Sequence, residues 1–245
     1  MEKSAPLKNR KSLGILGGMG PFASAEFLMA ILSNFHADND SQYPRIIMDS
    51  NTWIPSRSRA FLYGEASPVP GMIASCRALE GYGVDYIAIP CNSAQAWLNE
   101  LQPQVSTPIL DIREITTEAL INRFPHCNQA IVLGGPVTYG LDTYKLYLEK
   151  RDIEYLKINA IEQKSVEDII YACKKNIDRQ ILNEMYSRVL LSFEKKYGPQ
   201  CVKILGCTEF GLLAFPSMDL CIVDSMHEYA AFTAKLLDCR DESDK

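Results

Sequence analysis

Apolar residues along the chain fall into short unbroken runs, separated by longer stretches where they recur every three or four positions. Leu13–Leu16 is the first run and ends in Gly17, Gly18 and Gly20, whereas Phe27, Leu28, Ile31 and Leu32 give Phe22–Asn34 a helical period. The same reading predicts strands over Arg45–Asp49, Tyr86–Pro90 and Pro108–Asp111, and helices over Pro70–Gly81 and Ser93–Leu101. In the second half it predicts strands over Ala130–Leu133, Tyr155–Ile158, Val202–Leu205 and Ile222–Val223. Helices are expected there over Thr143–Lys150, Val166–Tyr171, Ile181–Tyr197 and Met226–Leu237. Strands that are apolar on both faces and alternate with helices indicate parallel sheets covered on each side.

The two halves share a plan. A strand ending in Gly17-Gly18 is followed by one running into Cys91-Asn92-Ser93, and a strand ending in Gly134-Gly135 by one running into Cys207-Thr208-Glu209. The intervals are 91 − 17 = 74 and 207 − 134 = 73 residues. The expected fold is therefore α/β, with two similar lobes, each a parallel sheet flanked by helices, related by pseudo-two-fold symmetry. Residues 1–112 with 218–245 are assigned to the lobe carrying Cys91, and 113–217 to the lobe carrying Cys207. Ligands of open parallel sheets bind beyond the carboxyl ends of the strands, so the two thiols are expected to enter one cleft from opposite sides.

Composition removes several classes of function. The 245 residues include 25 Lys+Arg and 30 Asp+Glu, a net charge of −5, with 47% hydrophobic and 22% charged residues. These are globular proportions, and the mild acidity gives no general attraction to nucleic acid. Eight cysteines without a C-x-x-C pair, and three histidines (His36, His126, His227), suit neither a disulfide scaffold nor a zinc site. A reducing cytoplasm is the expected compartment. Lys3, Lys8, Arg10 and Lys11 precede an apolar stretch ending in Ala23-Ser24-Ala25, but four glycines and Pro21 interrupt it, so it is read as neither a signal peptide nor a membrane span.

Cys91 and Cys207 differ from the other six cysteines in following a strand directly and preceding a hydroxyl residue at a helix start. Backbone N–H groups at such a start bind anions and lower a thiol's pKa. Two thiols on opposite faces of one carbon can remove a proton from one side and return one to the other, which inverts the centre. The Cα–H beside a carboxylate is weakly acidic, so the site must also supply oriented donors for the enolate-like charge. Asn92, Ser93 and Thr208 are candidates. Arg57, in the loop after the second strand, is a candidate carboxylate clamp; Arg59 is not separable from it by pattern. Gly18-Met19-Gly20-Pro21-Phe22-Ala23 also matches a dinucleotide-binding loop. Against that, Asp38 and Asp40 fall in a polar loop, Asp49 lies 29 residues past Gly20, and Pro21 lacks an N–H. Close backbone packing around a small ligand is preferred.

Taken together, Gly14–Pro21, Ile54-Pro55-Ser56-Arg57, Gly64–Pro68, Ile89–Ala94 and Leu205–Glu209 resemble the cofactor-independent aspartate/glutamate racemases, closest to the aspartate racemase branch. The resemblance implies an amino-acid racemase of aspartate or glutamate with no pyridoxal phosphate or metal, and commonly a homodimer. It makes Cys91 and Cys207 the acid/base pair, and Met19, Arg57, Asn92, Ser93, Thr138, Thr208, Glu209 and Lys175 the substrate-binding set. Ser93 and Gln95 depart from the family's threonine and histidine, and Gly134–Thr138 departs from its Gly-Thr start. Two other readings stay open: an isomerase or decarboxylase of a non-amino dicarboxylic acid on the same fold, and a non-catalytic ligand sensor.

Overall fold

The computed structural model describes residues 11–35, 37–175, 177–214 and 220–238. His36 and Cys239 lie outside these residues. The first sheet holds β1 (Leu13–Gly17), β2 (Ile46–Ser50), β3 (Tyr86–Ala88) and β4 (Ile109–Leu110) in the order β2-β1-β3-β4. The second holds β5 (Gln129–Gly134), β6 (Glu154–Tyr155), β7 (Val202–Gly206) and β8 (Ile222–Asp224) in the order β6-β5-β7-β8. Every pairing is parallel. The two orders match strand for strand, so β1 corresponds to β5 and β3 to β7. In each sheet the chain leaves the strand that comes first in sequence to one side and later returns on the other. That reversal places a ligand crevice between the carboxyl ends of β1 and β3, and equally of β5 and β7.

Local chemistry accounts for the helices. Pro21 stands at the first position of α1 (Pro21–Ser33), whose buried Ala23, Ser24, Phe27, Ala30 and Ile31 form one face. Asn159 and Glu162 form a reciprocal capping box on α8 (Ala160–Lys174), and Asp178 caps α9 (Arg179–Tyr197). Asp224 caps α10 (Ser225–Leu237), whose Tyr229 stacks on Phe27 with ring centroids 5.0 Å apart. The hydroxyl of Tyr229 donates to the carbonyl of Leu110 (2.8 Å) and accepts from the N–H of Ile89 (3.1 Å), which fixes the chain just before Cys91.

Two helices escape the periodicity. α2 (Arg57–Tyr63) buries no residue, so it shows no apolar stripe; Ser56 caps its start, and Gly64, at φ +63, ends it. α3 (Val69–Gly81) follows it in the sequence. α5 (Ile112–Arg123) faces the core with Thr116 and Thr117 as well as Ile112, Ile115 and Leu120. Those threonines donate to the carbonyls of Ile112 and Arg113 one turn back, which lets hydroxyls sit where apolar groups are expected. The stretch Ser93–Leu101 is a 3-10 helix over Asn92–Trp97 followed by the single turn α4 (Leu98–Leu101). Thr143–Lys150 shortens to α7 (Lys145–Glu149); α6 (Pro136–Gly140) lies before it, and Asp142, at φ +46, parts the two.

The sequence assigns the segment 218–245 whole to the first lobe; its described residues, 220–238, are divided between the lobes. β8 pairs with β7 in the second sheet, while α10 packs on α1 and shares a core with Leu13, Phe27 and Ile112. The division follows from the cap: Asp224 ends the strand and starts the helix with one carboxylate, bonded to the N–H groups of Met226 and His227.

Buried hydrogen bonds join the lobes at the cysteine turns. Thr208 donates to the carbonyl of Pro90 (3.2 Å). Asn92 donates to Ser225 Oγ (2.9 Å), which in turn donates to the carbonyl of Leu205 at the end of β7 (2.6 Å). Tyr144 completes the bracket by donating to Asn92 Oδ1. Tyr144 is fully buried and bridges the lobes. Tyr144→Phe strands a buried acceptor, which costs about 1–3 kcal/mol. A fall in Tm of roughly 2–10 °C in thermal unfolding is the expected reading, and an unchanged Tm would show that the bracket does not hold the lobes.

Candidate active site

Cys91, three residues past β3, and Cys207, directly past β7, each stand at the cap of a short 3-10 helix, over Asn92–Trp97 and Thr208–Leu212. The first N–H groups of such helices have no partner within the helix. Both cysteines line one cavity of about 340 Å³ between the lobes. Met19, α2 and the Cys91 turn close it from the first lobe; Gly135, Pro136, the cavity face of α8 and the Cys207 turn close it from the second. The space lies beyond the strand ends, where the topology puts it.

The glycine loop before α1 serves packing. Gly18, at φ +85, runs so close to the backbone of Asn51 that a Cβ would come within 2.5 Å of it. Ser24 accepts from the Gly18 N–H (3.1 Å) and donates to the Gly20 carbonyl (2.7 Å), closing the loop on itself. Only Met19 of this loop reaches the cavity. The arrangement leaves no pyrophosphate cradle and agrees with the packing reading.

Charge is distributed unequally between the two thiols. Cys207 donates to Glu209 Oε2 (2.8 Å), and the other oxygen of that buried carboxylate is ion-paired with Lys174. Burial is the main cause that pushes the Cys207 thiol well above its ordinary pKa, and the Glu209 carboxylate adds to it; Lys174 and the Glu209 N–H pull the other way without prevailing. This reverses the expectation that the helix start lowers the thiol's pKa: one carboxylate in a dry site outweighs a few N–H dipoles. Burial also opposes the charge on Lys174, but Glu209, Cys207 and Cys91 together hold its pKa above the ordinary value. Cys91 is buried, and no hydrogen bond joins it to a carboxylate among the described residues. Elsewhere burial pushes Cys76 up to about 12, and Cys173 and Cys201 up to about 11, which suits inert structural thiols.

The remaining predicted residues divide. Arg57 lines the cavity, and its guanidinium donates to the carbonyls of Pro55 (3.0 Å) and Met19 (3.1 Å), while its buried Nε has no partner in the protein. Arg59 also lines the cavity but is exposed and doubly bonded to Glu65. Met19, Asn92, Ser93, Thr208 and Glu209 line the cavity too, with the Asn92 amide engaged in the lobe bracket. Thr138 does not: it is buried behind the second glycine turn, where its methyl packs against Gly134 and Gly206. Lys175 does not either, being the exposed residue that ends α8. The lysine in the site is Lys174, and helix geometry could have found it. Glu167, Ile170, Tyr171 and Lys174 all line the cavity at i, i+3, i+4 and i+7, whereas Lys175 is turned about 100° away. Gln95 lies off the cavity, fully buried, and donates to the Ile89 carbonyl (3.2 Å) behind Cys91. His227 is on α10, beside Asp224 and away from the cavity.

The family model for Asp/Glu/hydantoin racemases matches residues 16–233. The chain belongs to this racemase family. Its members are isomerases, and the matched span contains both cysteine turns. A broad specificity amino-acid racemase, RacX, of Bacillus subtilis (strain 168) is 31% identical over 168 residues, 66% of this chain and 71% of that protein. Among solved structures, the aspartate racemase of Picrophilus torridus superposes with a TM-score of 0.78 at 23% identity, over 92% of this chain and 94% of that one. A glutamate racemase isoform of Bacillus anthracis gives 0.58 at 20% identity, over 94% and 83%. These two likenesses establish the racemase fold, two four-stranded parallel sheets with flanking helices. No helix among the described residues is long and apolar enough to cross a membrane.

The charge arrangement around Cys207 gives a signed prediction. Alkylation of Cys207 followed against pH by peptide mass mapping, in a Cys91→Ala background, should show a thiol titrating above the ordinary thiol range. Glu209→Gln removes the anion that opposes the thiolate and should move that titration to lower pH; Lys174→Met removes the opposing cation and should move it higher. Shifts of the same sign in both variants would rule out this electrostatic account.

Proposed function

We propose that this protein racemises amino acids by a two-base mechanism in which Cys91 and Cys207 work on opposite faces of the substrate Cα. The observation that carries the reading is that cysteines from corresponding strand ends of two matching sheets line a single cavity. One thiolate removes the Cα proton while the opposing thiol delivers a proton to the other face, and the reverse pair serves the other enantiomer. Cys207, held as a thiol by burial and Glu209, is assigned the proton donor, and Cys91, from the other lobe, the base for one enantiomer. The N–H groups at the starts of the two 3-10 helices are the donors for the enolate-like charge, in a site shielded from bulk water where they act strongly.

Aspartate and glutamate are the substrates this reading expects. Arg57 is the partner for a side-chain carboxylate: three backbone carbonyls fix its guanidinium, and its Nε edge keeps an unused donor. Asn92, Ser93 and Thr208 border the α-carboxylate and amine, Met19 lines the pocket, and Lys174 takes the place assigned to Lys175. Both protons move on protein sulfur, so the reaction calls for neither pyridoxal phosphate nor a metal. Free thiols suit the reducing cytoplasm, and the working form is taken to be a homodimer. The relative named as broad in specificity supports a range wider than two substrates. Gln95, the departure that favours a non-amino diacid, does not face the cavity, and the glycine loop, closed on itself, offers a nucleotide no cradle.

L-aspartate and L-glutamate incubated in deuterated water should give the D-enantiomers with deuterium at Cα, resolved by chiral chromatography and mass spectrometry. Cys91→Ala and Cys207→Ala should each lower racemisation by about 10²–10⁴-fold. Arg57→Lys, which keeps the charge and loses the fork, should raise KM for these acids about tenfold. Undiminished racemisation in either single cysteine variant would overturn the two-base reading.

A further inference from the structure

The acid-binding groups do not account for the whole cavity. Its cations are mostly matched already: Lys174 is paired with Glu209 and Arg59 with Glu65. One cavity-lining carboxylate, Glu167, makes no ion pair among the described residues. Lys164, one turn before it on α8, is paired with Asp168. The Glu167 side chain is nonetheless held in place. Its Oε1 accepts from Gln163 Nε2 (2.8 Å), and the same buried amide donates to the Gly134 carbonyl (3.0 Å) at the second glycine turn. The bond engages one carboxylate oxygen, and no hydrogen bond to the other is found among the described residues.

Position along α8 supplies the second observation. Glu167 precedes Lys174 by 174 − 167 = 7 residues, two turns of the same cavity face, or about 10 Å. Lys174 marks the reacting end, since the carboxylate it pairs with accepts from the Cys207 thiol. Ile170 and Tyr171 stand between the two on the helix, and Leu62 and Tyr63 of α2 also line the cavity. These two are 48% and 68% exposed, an unusual amount of apolar surface at the edge of a site read as serving short, doubly charged acids. An apolar wall leading from the reacting carbon to an unmatched carboxylate is complementary to a methylene stem carrying a terminal cation.

We propose that Glu167 is a specificity-determining residue for amino acids whose side chains end in an ammonium or guanidinium group, of lysine, ornithine or arginine type. This rests on the two-thiol reading and extends its substrate class. Arg57 serves a side-chain carboxylate and Glu167 a side-chain cation, so that one reacting centre accepts both.

The test compares L-lysine, L-norleucine and L-aspartate with the full-length protein in deuterated water, reading D-enantiomer and Cα deuterium. Norleucine keeps the lysine stem and lacks the cation. The expected result is turnover of lysine, with the lysine-to-norleucine ratio of kcat/KM falling about tenfold in Glu167→Gln, the order associated with one charged hydrogen bond. Glu167→Asp, which keeps the charge, should retain most of that ratio, and unchanged melting would separate the effect from misfolding. Racemisation of aspartate with no exchange of lysine overturns this inference and leaves the two-thiol reading standing. Lysine turnover with an unchanged ratio in Glu167→Gln overturns the role of Glu167. Absence of exchange from all three amino acids removes the two-thiol reading and this inference with it.

Discussion

The structure depends on a short buried hydrogen-bond bracket that joins the two cysteine turns. Thr208, one residue past Cys207, donates to the carbonyl one residue before Cys91; Asn92, one residue past Cys91, is held by Tyr144 and by Ser225, which also binds the end of β7. All four side chains are essentially sealed from solvent. Each such bond adds only about 1 kcal/mol net, but leaving a partner unmatched in the interior costs more. The bracket therefore acts chiefly by excluding alternative lobe arrangements. The proposed reaction of two thiols at one carbon needs that constraint, because an error of about 1 Å in placing reacting groups is felt in rate. The bracket also accounts for the side-chain roles around it: the Asn92 amide sits at a cysteine turn yet serves the lobe contact.

Much of this architecture is legible in the sequence because it rests on signals that need no tertiary context. Unbroken apolar runs mark the central strands, and the near-equal spacing from glycine turn to cysteine turn marks the repeat. What escapes has identifiable causes. α2 buries nothing and shows only its caps, so Arg57 and Arg59 read as loop residues. α5 turns threonine hydroxyls back on its own carbonyls, which hides its core face. Thr138 has the right spacing for a site hydroxyl but fills the space beside Gly134 and Gly206, a matter of packing depth that spacing does not encode. Lys174 and Lys175 differ by one helical step; only the phase set by Ile170 and Tyr171 tells them apart.

The equal strand orders conceal an unequal site. Cys207 is bonded to a carboxylate that is itself neutralised by Lys174, whereas no comparable carboxylate bond reaches Cys91. The corresponding turns differ at the second residue beyond the cysteine, Ser93 in one and Glu209 in the other. A hydroxyl leaves the local charge unchanged. A carboxylate in a dry pocket opposes a neighbouring thiolate, and the cation beside it limits that opposition without cancelling it.

For a racemisation, this inequality has a consequence set by thermodynamics. Enantiomers have equal free energies in water, so the equilibrium constant is one, and kcat/KM must be the same in both directions whatever the site looks like. An unequal pair of thiols cannot favour one product at equilibrium. It can only divide the common barrier differently between binding and turnover. Under the proposed two-thiol reaction, the form with Cys207 as the thiol binds the enantiomer whose proton faces Cys91 without first moving a proton within the protein. The opposite enantiomer requires the Cys207 proton to leave, against burial and the Glu209 charge. That requirement shows as weaker apparent binding offset by faster turnover once bound. On that proposal, Glu209 and Lys174 set which hand of substrate is held at rest, while the bracket between the lobes sets the geometry that both hands share.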